Sequence, residues 1–209
     1  MTPGEHLKQT RHATEQLFKS LEFYYKQLEQ LQPVIFISST VDDIASGKEF
    51  GEWRKQNEAA ISASIEKEKE YLGYALSEGT ICGSILQIAS MSIKTFSVNT
   101  LVSPECKAIL SKGNAVKFCV GRLVRGLPTG LIVYAGRNQY NHMDDLSYNE
   151  VTTKVFDHLA THGTGGKYRD PAFDLTNRSL INYAANIVAL LGWKKYADYS
   201  ADMKLMMKI

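Results

Sequence analysis

At 209 residues, 44% hydrophobic and 22% charged, the chain has the composition of a globular protein that buries a core, which excludes a disordered or collagen-like chain. A formal net charge of +2 is too small to argue for nucleic-acid binding by itself. No run approaches the ~20 apolar residues needed to span a bilayer, so no membrane is expected.

Leu7, Leu17, Phe18, Leu21, Tyr24, Tyr25, Leu28 and Leu31 recur at three- and four-residue steps and predict a helix over residues 4–31. Pro33-Val34-Ile35-Phe36-Ile37 reads as a short strand or a buried turn, and Asp42 to Lys48 as a loop. Helical spacing returns at Phe50, Trp53, Ala60, Ile61, Ser64, Ile65 and Leu72, and again at Ile81, Ile85, Ile88, Ala89, Ser92 and Phe96 after a break at Ser77-Glu78-Gly79. Within this stretch, Glu66-Lys67-Glu68-Lys69-Glu70 reads as a solvated helix face.

A further apolar stripe, Val116, Val120, Leu123, Val124 and Leu127, predicts a helix closed by Gly126 and Pro128, and Leu131-Ile132-Val133-Tyr134 reads as helix. Ser147-Tyr148-Asn149-Glu150 has capping-box spacing ahead of a helix over about 148–162. After a glycine-rich connector, Leu180, Ala184, Ile187, Val188 and Leu191 give another helix with Gly192 as its cap. The fold class is all-α, a bundle of about six or seven helices with a short strand near residues 33–41. It reads as one domain, 1–209: a core over about 50–160, on which the helix 4–31 and C-terminal helices over 178–207 pack.

Charge is unevenly placed. Between Glu105 and Asp144 there is no carboxylate, while Lys107, Lys112, Lys117, Arg122, Arg125 and Arg137 all fall there; these six leave the remainder at 2 − 6 = −4. Such a segment could collect an anion such as a nucleic-acid phosphate, with Lys117, Arg122 and Arg125 as candidate RNA contacts.

The segment ends in Arg137-Asn138-Gln139-Tyr140-Asn141-His142. Arginine, four residues, histidine resembles the Rx4–6H signature of the HEPN superfamily of helical nucleases, in which a small polar residue often follows the arginine, as Asn138 does here. Requiring that residue lowers the expected accidental matches in this chain from roughly 0.5 to roughly 0.05. The resemblance is loose over about residues 50–160 and specific over these six.

It implies a HEPN-like bundle and a metal-independent endoribonuclease with no cofactor, of the kind associated with toxin–antitoxin and antiviral defence systems. Carried onto this chain, it makes His142 the general base or acid on the ribose 2′-hydroxyl or the leaving oxygen, since imidazole titrates near neutral pH. Arg137 would hold the scissile phosphate with its fixed fork of donors, and Asn138 would orient one of these groups. On an ideal helix Asn138 and His142 lie about 40° apart, whereas Arg137 lies about 140° from His142. HEPN nucleases commonly form homodimers with the two motifs facing one another, which would complete such a site; a bend near the motif would serve as well. Some HEPN toxins carry a tyrosine two places after the histidine that a partner enzyme modifies, and Asp144 stands there. The implied partners are RNA, a second copy, and an antitoxin or defence-system protein.

Other candidates are weaker. His158 and His162 share a helical face at zincin spacing, but Leu159 occupies the place of the glutamate base, so no metal site is expected. Gly163-Thr164-Gly165-Gly166-Lys167 lacks the spacing and the Ser or Thr of a phosphate loop. Cys82, Cys106 and Cys119 are odd in number and widely spaced, which argues against a disulfide framework. With no signal-like basic-then-apolar stretch after Met1, a reducing cytoplasm is expected. The rival function is a non-catalytic helical module that uses residues 107–137 to hold RNA or a protein.

Overall fold

The computed structural model describes residues 1–29, 34–145, 147–177 and 179–209. Among them it forms seven α-helices and one two-stranded hairpin, an all-α bundle. Helix α1 (Pro3–Glu29) buries Leu7, Thr14, Phe18 and Leu21, a stripe at helical spacing. Leu31 and Pro33, named above, lie outside the described residues.

Residues 34–41 form no strand, and helix α2 (Asp43–Gln56) begins inside the stretch expected to be a loop. The reason is local: Asp42 caps the helix by accepting from the Ala45 amide at 2.8 Å. Helix α3 (Glu58–Phe96) then runs 39 residues, straight through the expected break at 77–79. A Cβ on Gly79 would sit 2.6 Å from the Asn182 amide nitrogen, so this glycine admits a neighbour rather than ending the helix.

The backbone gathers into two compact units, Met1–Glu22 with Glu78–Ile209, and Phe23–Ser77. No described side chain of the Phe23–Ser77 unit is buried. Phe36, Phe50 and Trp53 cluster there with ring centroids 5.3, 5.4 and 5.9 Å apart.

The larger unit holds the core, to which α3 contributes Cys82, Ile85, Leu86, Ala89 and Ile93. The helix expected over 116–127 is absent. In its place are 3-10 turns at Pro104–Cys106 and Asn114–Phe118 and an antiparallel hairpin, β1 (Leu123–Val124) with β2 (Leu127–Pro128), in register Leu123 to Pro128. Gly121, Arg125 and Gly126 take φ of 96°, 47° and 78°, a left-handed backbone no α-helix contains. The apolar spacing is met by separate turns instead.

Helix α4 (Thr129–Asn141) follows, with Leu131, Ile132, Val133 and Ala135 fully buried, and packs on α5 (Glu150–Thr161) and α6 (Ala184–Leu190). The start of α5 differs from the capping box expected at Ser147. Asn149 is the cap, its side chain accepting from Thr152 N at 2.9 Å, so the helix begins later. Gly192 closes α6 at φ 68°, and α7 (Tyr196–Met207) buries Tyr199, Met203 and Met206.

Candidate functional site

The motif occupies the last turn and a half of α4 because that helix crosses α3 closely. A Cβ on Gly83 would lie 2.4 Å from the Tyr140 ring, so only glycine lets the two helices meet there. That crossing puts Arg137 against α3: its Nε donates to Gln87 Oε1 at 2.7 Å and its Nη1 to Asn138 Oδ1 at 3.1 Å. With its amide oxygen turned toward Arg137, Asn141 accepts from Nη2 and Nε at 3.0 Å each.

His142 is the C-terminal cap of α4, its N–H reaching the Asn138 and Gln139 carbonyls at 3.1 and 3.2 Å. A tight turn follows, closed by Asp145 N donating to His142 O at 3.0 Å. The turn returns Asp145 Oδ2 to within 2.7 Å of His142 Nδ1, with both side chains about half exposed at 53% and 55%. A ring whose Nδ1–H points at a carboxylate is held, when neutral, in the tautomer that leaves a lone pair on Nε2.

Asn138 and His142 share a small cleft of about 160 Å³, completed by Asp145, Ser147, Tyr148 and Asn149. Arg137 does not line it. Asn138 is the link: almost buried in the cleft wall, it accepts from the Arg137 guanidinium and directs its own Nδ2 toward Thr152 Oγ1 at 3.5 Å. Gln139, wholly buried, ties α4 to the chain ahead of α6 by donating to Ile181 O at 2.9 Å and accepting from Tyr183 N at 3.1 Å.

The candidate RNA contacts fall in different settings. Arg122 makes a two-pronged pair with Asp202 at 2.9 and 3.0 Å, and Trp193 Nε1 donates to the same carboxylate at 2.8 Å. Arg125 bonds Asp170 Oδ2 at 2.9 Å and Leu159 O at 2.8 Å, and lies 4.7 Å over the Phe173 ring. Lys117 is exposed, with one bond from Nζ to Lys94 O at 3.0 Å. His158 Nε2 is 2.8 Å from the Arg125 carbonyl, to which it donates. Among the described residues no group of three or more His, Cys, Asp or Glu is placed to hold a metal.

Sequence reasoning did not find Asp145, Tyr148 or Gln87. Asp145 carried a signal, since a carboxylate three residues past a helix-capping histidine is within reach of its ring; Gln87, fifty residues from Arg137, carried none. Nor did spacing bring together Cys106 and Cys119, both buried and reduced. The Cys119 thiol hydrogen-bonds to Cys106 and draws it down to about 7, while Cys119 itself is pushed up.

No protein-family model matches the chain, and no curated protein and no solved structure matches it.

Proposed function

We propose that the protein is a metal-independent endoribonuclease of the HEPN type, cytoplasmic and acting on RNA in a toxin–antitoxin or antiviral defence setting. The observation that carries this reading is the shared cleft of Asn138 and His142, with Asp145 bonded to His142 Nδ1. In that arrangement His142 Nε2 accepts the proton of a ribose 2′-hydroxyl as its oxygen attacks the adjacent phosphorus. The bond to the 5′-oxygen breaks, that oxygen takes a proton from water while the His142 imidazolium returns its own to solvent, and the products are a 2′,3′-cyclic phosphate and a 5′-hydroxyl.

Arg137 would offset the charge that builds on the phosphoryl oxygens. Because it lies outside the cleft of its own chain, the reading includes a two-fold dimer in which residues 130–145 of both copies approach one another. The rival, a non-catalytic binding module, draws on one observation: Gln87, Asn138 and Asn141 hold the Arg137 guanidinium as a strut between α3 and α4.

Cleavage of a single-stranded RNA separates the two. Wild type is expected to cut in the presence of chelator and to leave a 2′,3′-cyclic end. His142→Ala is expected to stop cleavage while keeping the fold, since removing a helix-capping imidazole costs at most about 2 kcal/mol. Full activity in folded His142→Ala protein would sink this mechanism, and RNA binding by wild type without cleavage would establish the rival reading.

A further inference from the structure

Past the end of α3, the strand of chain at 97–102 and the turn at 111–117 enclose a second concavity of about 360 Å³, on residues that take no part in the motif. Its wall is fixed. Asn99 Nδ2 donates to Val116 O at 2.7 Å and to Leu101 O at 2.8 Å, Ser97 Oγ donates to Lys117 O at 2.7 Å, and Lys117 Nζ reaches back to Lys94 O at 3.0 Å.

Its lining is rich in unengaged donors. The side chains of Thr100, Ser111, Lys112 and Asn114 have no hydrogen-bond or ion-pair partner among the described residues, and Lys117 keeps two of its three N–H donors after bonding Lys94. Among the described residues no carboxylate lines the concavity, and its whole turn at 111–117 belongs to the acid-free stretch that opens after Glu105. The contrast with Arg122 and Arg125 is chemical: those guanidinium groups face Asp202 and Asp170, whereas Lys112 has no ion pair among the described residues. Two ammonium groups, two hydroxyls and a carboxamide belong to residues lining one hollow, a donor set that matches the several acceptor oxygens of a phosphate. A volume of about 360 Å³ also falls within the range of small-ligand sites.

We propose that this concavity is a phosphate-binding site, with Lys117 as its fixed cation and Lys112 as its mobile one, taking a phosphodiester of an RNA strand or the phosphate of a free nucleotide. For RNA as the source the inference rests on the endoribonuclease reading; for a nucleotide it stands without it. On an RNA strand, the site binds a part of the chain that is not cut.

The test uses the full chain carrying His142→Ala, which keeps the RNA whole, with a fluorescent twelve-residue oligouridylate, uridine 5′-monophosphate and uridine as probes. The oligonucleotide, the monophosphate or both bind, and uridine does not. Lys112→Glu, which removes no intramolecular bond, and Lys112→Ala with Lys117→Ala each weaken the bound probe roughly tenfold and flatten its salt dependence. Lys8→Ala with Lys19→Ala, the same charge change on exposed positions of α1, leaves affinity within about twofold. Binding of the oligonucleotide alone identifies the strand as the source, and competition by the monophosphate identifies the single phosphate. Failure of both phosphate probes to bind, or equal losses in the α1 pair, overturns the site. Cleavage retained by His142→Ala would instead overturn the role of His142 in the nuclease reading and leave the site standing.

Discussion

Asp145 is the residue whose function depends most on one distance. At 2.7 Å from His142 Nδ1 it fixes the ring's tautomer and direction, so Asp145→Asn is expected to lower kcat for RNA cleavage roughly ten- to a hundredfold with KM nearly unchanged. At the same scale, Arg122→Ala strands the largely buried Asp202 carboxylate, which among the described residues keeps the Trp193 N–H as its side-chain partner. With Arg122 itself about half exposed, the loss is expected to be about 2 kcal/mol, or a melting point about 4–8 °C lower. The acid-free segment made Arg122 and Arg125 look free in the sequence. Their carboxylates lie 80 and 45 residues away, and pairings at that separation leave no local pattern to read.

Elements were legible where apolar spacing coincided with an uninterrupted backbone, as in α1 and in α4, which holds the stretch Leu131 to Tyr134. They were not legible where glycine had another use. Helix α3 shows both uses within ten residues, and the same substitution should act with opposite sign along it. Gly73 faces open space, so Gly73→Ala is expected to stabilise by about 0.5–1 kcal/mol through the smaller backbone entropy of alanine. Gly83→Ala would place a methyl 2.4 Å from the Tyr140 ring, forcing α3 and α4 apart at a cost of about 1–3 kcal/mol. Because Tyr140 stands two residues before His142, cleavage should fall with it. Thermal unfolding of the two variants checks the signs, and equal shifts would show that the crossing is looser than the geometry describes. The hairpin after α3 failed as a sequence reading for a related reason: helical spacing at 116–127 says nothing of the left-handed turns at Gly121, Arg125 and Gly126.

For the molecule as a whole, the all-α class was legible because most of its apolar spacing is helical, whereas the division at Phe23–Ser77 is hidden because α1 and α3 each run on through one of its bounds. The motif poses the remaining question at this scale, since one chain directs His142 and Asn138 into a cleft that Arg137 does not reach. If the site is completed by a second copy, Arg137→Ala and His142→Ala proteins should each be inactive alone and active when mixed. Random exchange of subunits makes half the dimers mixed, and each mixed dimer holds one site with both residues intact. Recovery of about a quarter of wild-type activity is therefore expected, alongside a two-fold dimer mass in sedimentation. Recovery requires exchange, which separately tagged subunits would report by co-purification. Mixed dimers that form and stay inactive would place Arg137 and His142 in service of the same chain, and a bend at the end of α4 would then have to bring the guanidinium round to the cleft.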